Sequence, residues 1–424
     1  MSKLPVTIPG DKTICLPVAD EKEYATLVKQ TKAFRKYLDE QIARHPELFP
    51  REIGEGYRFH GFRTSAKLKL ETRRIRLSSN GEVYQLRPDF VMPYMIGKTE
   101  EVEKGLYLRQ CGVPYEGIAH VMGKDPMYWY RASLALGRPS LVGTTVKDGE
   151  AIPPPQLLAD EKHTWWLGEK VYVATTVADG CLLGAELSQT AKTEDLQVAY
   201  GVFAQEAREL NPDYQPQTVN TDGWEATQKA WKNLFSGITL ILCFLHTILF
   251  IEQRCRSQKA LLSTLKDKLW DVYHACDPSQ FLEQLRNLQA WAINQTLPEV
   301  ILDKILNLSV KASQFTIAYS FPNAHRTSNM LDRLMNHQDR LLFSMQYFHG
   351  YQDSANLALR SMAILWNFHP FGRRSQKSSN DTVSPFQKLN GFSYHPNWLR
   401  NFLIASSLNG KGGGNFRKHT IRQN

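Results

Sequence analysis

The chain is poor in the features that would tie it to an oxidising compartment or a bilayer. Its 424 residues include six cysteines, Cys15, Cys111, Cys181, Cys243, Cys255 and Cys276, and none form a CxxC pair. That scatter argues against a disulfide scaffold and fits none of the common zinc spacings. No apolar run approaches the ~20 residues of a membrane helix. The longest, residues 238–251, has 14 and reads as an internal strand running into a buried helix. With no signal peptide at the start, a reducing interior and no membrane partner are expected. The glycine cluster Gly410-Lys411-Gly412-Gly413-Gly414 lacks both the Walker spacing and a preceding strand, so it is not a nucleotide loop.

Acidic residues are scarce in two places. Residues 58–76 carry seven Lys or Arg against one Glu, and residues 371–424 carry nine against one Asp, within a net charge of +9. Excess charge placed in flanking segments suits a polyanion such as double-stranded DNA, although a basic balance also keeps a large protein in solution.

The patterning divides the chain into five parts. Residues 1–50 hold a helical segment over 21–44, closed by Pro46 and Pro50. Residues 51–98 alternate apolar with basic side chains and contain the turn signal Asn80-Gly81, which predicts a β-rich unit with one basic face. On that face Arg63, Lys67, Lys69, Arg73, Arg74 and Arg76 are candidate phosphate contacts. Residues 99–140 split into three short helices at Gly112-Val113-Pro114 and Gly123-Lys124-Asp125-Pro126, a helix-turn-helix-like module. Its third helix would present Tyr128, Tyr130 and Arg131 to a groove. Residues 141–369 read as α/β, with strands at 157–160, 170–176, 182–187, 216–222 and 238–243. Helices fall at 196–210 and 224–235, and an all-helical stretch covers about 252–320. Residues 370–424 read as a basic linker and tail.

Within the α/β part Asp160 and Asp222 each end an apolar run. A carboxylate at the C-terminal end of a strand sits where open α/β sheets place their chemistry. Two further signatures follow: Cys243-Phe244-Leu245-His246 about twenty residues after the second acid, and Asn329-Met330-Leu331-Asp332. Together with a three-strand meander followed by alternating helices and strands, these residues resemble the DDE-type transposases of bacterial insertion sequences. The Mutator-like elements of eukaryotes are a more distant likeness. The resemblance covers roughly residues 141–369.

It implies a ribonuclease H-like catalytic core with a helical insertion. Asp160, Asp222 and Asp332 would hold two Mg²⁺ ions (or Mn²⁺), and His246 would lie close to the site. It further implies cleavage and strand transfer at the ends of a mobile element in a prokaryotic cytoplasm, by a homodimer or larger assembly on DNA. The third acid of the family is usually Glu, and here it is Asp. Glu161, Glu225, Asp303 and Asp339 are its rivals. Arg326, Asn329 and Arg333 cluster around Asp332 as candidate phosphate contacts. Trp166 and Trp224 follow the first two acids and are candidates for stacking on a base, although core filling is the commoner use of Trp. A hydrolytic nuclease or junction resolvase, or a domesticated DNA-binding protein, are the alternative readings.

Overall fold

The computed structural model describes residues 10–147, 152–254, 259–378 and 382–412. Cys255 and the tail from residue 413 lie outside these. The described chain is mixed α/β, with two mixed sheets and a separate helical lobe.

The first sheet has the order β1-β4-β3-β2, from β1 (Thr13–Leu16), β2 (Tyr57–Ser65), β3 (Leu70–Leu77) and β4 (Val83–Pro88). Helices α1 (Glu21–Leu27) and α2 (Thr31–Arg44) cover its inner face, where Tyr24, Phe34 and Leu38 pack with Ile75 and Leu77. Because side chains alternate along a strand, Arg73 falls on the same face as Ile75 and Leu77. The N-terminal helical segment is therefore not a separate part: it supplies a strand and the cover of the basic β unit.

Helices α3 (Thr99–Gln110), α4 (Tyr115–Met122), α5 (Pro126–Leu136) and α6 (Leu141–Thr145) follow. Asp125 caps α5 by accepting from the Met127 amide, the role its Asp-Pro sequence predicts. Gly105 lets α3 touch α5, since a Cβ there would lie 2.2 Å from the Trp129 ring.

The second sheet has the order β7-β6-β5-β8-β9. Strands β5 (Gln156–Trp166), β6 (Glu169–Ala178) and β7 (Cys181–Ser188) form an antiparallel meander. After α7 (Thr193–Leu210), β8 (Thr218–Thr221) joins β5 in parallel, and after α8 (Glu225–Leu234), β9 (Thr239–Leu242) joins β8 in parallel. Leu157 and Ala159 of β5 face α7 and α8, with Tyr200, Phe203 and Trp231 behind them. Leu158 faces the other way, into the core shared by α14 (Asn329–Ser344) and α15 (Gln352–Phe368). Between β9 and α14 lie α9 (Phe244–Arg254), α10 (Lys259–His274), α11 (Pro278–Ile293), α12 (Glu299–Leu306) and α13 (Ala312–Thr316). They close around Leu265, Leu269, Phe281, Leu285 and Ile305 as a core of their own.

The C-terminal region departs from its reading as linker and tail. After α16 (Arg373–Ser378), both α17 (Pro385–Asn390) and α18 (Trp398–Ala405) are folded, and every residue of α18 is buried. The α18 side chains Leu399, Phe402 and Leu403 share one continuous core with β1, α3, α5 and α15. Arg400 donates to the Val18 carbonyl (3.1 Å) and pairs with Asp89 and Glu100. Ser407 Oγ accepts from the Cys15 amide at 2.8 Å. Arg400 was read as part of a basic tail but serves as an interior ion-pair partner. The sequence parts 1–50, 51–98 and 99–140 are likewise joined by this core.

Two stability outcomes are expected. Phe402→Ala should cost about 3–5 kcal/mol in urea unfolding, because it empties a closed core, whereas the same change in a flexible tail would be silent. His337 of α14 is 1 % exposed, and burial pushes its imidazole down to about 4. The unfolded chain then binds the extra proton between about pH 6.5 and 4. Stability from this group is present above 6.5 and falls by about 3 kcal/mol on acidification to 4. His337→Phe should flatten that part of the stability–pH curve.

Candidate active site

Asp160 lies in the middle of β5 rather than at its end, since the strand continues to Trp166 beyond the run of apolar residues. The register Leu158↔Asn220, continued two residues, brings Asp160 level with Asp222 as the parallel strands part. Neighbouring strands are about 4.8 Å apart, so the two carboxylates are near neighbours by topology. Asp222 follows β8 in a tight turn, in which its Oδ1 accepts from the Trp224 amide at 2.8 Å. Gly223 makes that turn possible, with φ +94° and a position where a Cβ would meet Leu242 at 2.4 Å.

Asp332 sits in the first turn of α14, two turns before Asp339 on the same face. The preceding loop is fixed from several sides. The Asn220 amide donates to the His325 carbonyl (2.9 Å), the Phe244 amide to the Arg326 carbonyl (3.2 Å) and Cys243 Sγ to Ser328 Oγ (3.4 Å). The Asp332 amide closes on the Ser328 carbonyl at 2.9 Å. The ends of β8 and β9 thus determine where α14 begins, and α14 carries its acid onto the Asp160 face.

His246 enters from the first turn of α9, with Nε2 3.8 Å from Asp160 Oδ2. Burial and then the Asp222 carboxylate push Asp160 up to about 6. Burial also raises Asp332, countered by His246, Ser328 and Lys162. Burial works against the His246 cation, but Cys243 and the Asp160 and Asp222 carboxylates outweigh it and push the imidazole up to about 9.

The rivals for third acid are committed elsewhere. Glu161 points to the opposite sheet face, where Tyr200 and Thr227 each donate to its Oε1 at 2.7 Å. Glu225 is exposed and pairs with Lys229 at 2.7 Å. Asp303 lies on α12 in the helical lobe. Asp339 pairs with Lys162. Lys162 was not singled out from the sequence, although alternation along β5 places it on the Asp160 face.

Among the described residues, no three His, Cys, Asp or Glu are close enough to cage an ion on their own. Mg²⁺ does not need such a cage, because it is commonly held by one or two carboxylates with water and substrate phosphate completing its shell. Asp160 beside Asp222, two half-buried carboxylates, has the donor chemistry for that mode.

The other candidate contacts divide by exposure. Lys67, Lys69 and Arg63 are exposed, and Arg74 and Arg76 lie half-buried on the outer sheet face, where Arg76 Nη2 is 3.1 Å from His60 Nε2. Arg73 is a correction. It is 4 % exposed, donates to the Val28 carbonyl and Thr31, and lies over the Phe34, Phe59 and Phe62 rings, so it holds α2 to the sheet instead of meeting phosphate.

On α5, Arg131 is exposed, Tyr128 donates to the Ile96 carbonyl at 3.2 Å and Tyr130 stands edge-on to Tyr115. The opposite side of α5 packs on α15, with Ser133 and Ser361 2.9 Å apart. Arg326 is a second correction. It precedes α14 rather than lying on it, and its guanidinium donates to the Tyr273 and Ala275 carbonyls at 2.6 and 3.3 Å, holding the helical lobe. Asn329 and Arg333 are exposed on α14. Trp166 spends its indole N–H on the Gly350 carbonyl (2.8 Å), whereas Trp224 is 39 % exposed, edge-on to Tyr172.

Set against known protein families and curated proteins, the chain matches no family model and no curated sequence.

Metal binding can be measured directly. Mn²⁺ should raise the thermal midpoint of the purified protein, by about 2.7 kcal/mol of linked stability at a hundredfold excess over Kd. Asp160→Ala and Asp222→Ala should abolish the gain, and Asp339→Ala should keep it. A gain that survives Asp160→Ala would place the ion elsewhere.

Proposed function

We propose that this protein is a DNA transposase of the DDE type, cutting and joining phosphodiester bonds at the ends of a mobile element. The observation that carries the reading is the convergence of Asp160, Asp222 and Asp332 from β5, the end of β8 and the first turn of α14, with His246 beside them. The strand order β7-β6-β5-β8-β9, with β5 central and β8 and β9 parallel to it, agrees with a ribonuclease H-like core. The helices between β9 and α14 fit the expected insertion.

Asp160, Asp222 and Asp332 would hold the divalent ions, which would supply activation of a water or 3′-hydroxyl and neutralise the leaving oxygen. The chain's own residues provide the positions. Asp160 feels the charge of both Asp222 and Asp332. His246 holds a proton against it. Lys162, kept on α14 by Asp339, is placed to meet the phosphate of a strand laid along β5. Tyr172, with Trp224 edge-on to it, lies on the opposite face of the sheet, because it pairs in register with His163. The basic outer face of the first sheet and the exposed side of α5 would grip double-stranded DNA, with salt-dependent affinity. Holding two ends together calls for a homodimer or larger assembly.

A hydrolytic nuclease shares the same acids but gives no use to the flanking DNA-binding elements. A domesticated DNA-binding protein would have no need to keep three acids together. Among the described residues no helix is long and apolar enough to cross a membrane.

The deciding experiment is strand transfer, with labelled element ends, a plasmid target and Mg²⁺ or Mn²⁺. Metal-dependent joined products that fall at least about 10³-fold in Asp160→Ala are expected. Cleavage without joining would favour the nuclease, and binding with neither product would favour the regulatory protein.

A further inference from the structure

The outer face of the first sheet carries a cavity that the reaction chemistry leaves unused. It has a volume of about 400 Å³ and opens beside the C-terminal 3-10 turn, which places it within the ~300–1,000 Å³ range of small-ligand sites. Its polar side comes from adjacent strands: Arg63 of β2, Thr72 of β3, and Gln85 and Arg87 of β4. These groups form a built relay. Arg63 donates to Gln85 Oε1 (2.7 Å), the Gln85 amide donates to Thr72 Oγ1 (3.2 Å), and Thr72 donates back to the Arg63 carbonyl (3.2 Å). Arg63 itself remains exposed.

Arg87 is 9 % exposed, gives one Nη to the Val91 carbonyl, and its Nε has no acceptor. A buried guanidinium with an unused donor is costly unless an anion or acceptor completes it. Leu70 and Met92 supply apolar wall, and no carboxylate is among the described residues that line the cavity.

The combination is specific in its chemistry. Two guanidiniums on a wall that itself carries no acid favour an anion, with Asp89 sharing the Arg87 charge from outside the lining, yet the volume and the apolar wall exceed what a bare phosphate would fill. The same sheet face continues outward through Arg74 and Arg76, since Arg74 pairs in register with Gln85 and Arg76 with Arg58. A polyanion tracking that row leads into the mouth at Arg63.

We propose that this cavity receives one unpaired nucleotide of the DNA strand that crosses the outer face, with its phosphate on Arg63 and its base against Leu70 and Met92. A paired base stays in its stack, so the site selects bulged or terminal nucleotides, whose extrusion is cheapest. The inference rests on the DNA-binding reading and is independent of the acidic cluster.

The test is fluorescence anisotropy of the full chain, without divalent metal, on two labelled duplexes of the same sequence, one fully paired and one with a single-nucleotide bulge. AMP serves as the free-nucleotide probe. A roughly tenfold preference for the bulge is expected, within the range that one stacked base provides. Ser65→Trp, which fills the mouth, should remove the preference and leave paired-duplex affinity within about twofold. Arg63→Gln should remove the preference and weaken both duplexes.

Equal affinity for the two duplexes, or a preference that survives both variants, overturns the pocket while leaving DNA binding intact. Binding to neither duplex overturns both readings. Saturable AMP binding without a bulge preference overturns the strand as the source and assigns the cavity to a free nucleotide.

Discussion

The candidate site depends on how one loop is pinned. Residues 325–328 are tied to the ends of β8 and β9 by Asn220, the Phe244 amide and Cys243, and this anchorage sets where α14 starts. If the loop were loose, Asp332 would be an ordinary acid in a first helical turn. Cys243 and His246 then take different parts. The thiol joins the end of β9 to the start of α14, and the imidazole, one turn further, faces Asp160. Arg326 extends the anchorage to the helical lobe through the carbonyls that close α10. The lobe therefore buttresses the third acid from outside the sheet.

Like charges brought together in a half-buried site oppose folding. Asp160 and Asp222 lie side by side because a parallel register leaves them no alternative, and the neighbouring histidine cation offsets part of the repulsion. A local electrostatic cost of this kind is common where a site is built to accept cations. Burial supports it from both faces of β5, with Leu157 and Ala159 on one side and Leu158 on the other.

A second constraint runs through the rest of the molecule. The core that begins under the first sheet continues through α3, α5 and α15 and ends on α18, so the last described residues complete the packing of the first. Arg400 and Ser407 bond to backbone in the segment 15–18. Motion of the basic sheet relative to the acidic cluster is limited by this shared packing.

The sequence by itself determined the second sheet closely. The runs at 157–160, 170–176, 182–187, 216–222 and 238–243 fall on all five of its strands, because local alternation and turn chemistry are short-range properties of the chain. The resemblance to DDE-type transposases also grouped Asp160, Asp222, Cys243 and His246. Arg73 and Arg400 were not legible, since composition shows a basic residue but not which face of the sheet, or which neighbour, will take its charge. Lys162 was readable in principle from period-two alternation. Its partner Asp339 was not, because that contact spans 177 residues. The C-terminal helices are short and lie between stretches rich in Ser, Gly and Lys, 372–384 and 406–414, whose composition reads as linker and tail. Only the tertiary structure decided that α18 closes the core, that Arg326 belongs to the loop, and that Asp339 and Glu161 are taken by Lys162 and by Tyr200 and Thr227. Each of these depends on contacts between elements far apart in sequence, which no local pattern encodes.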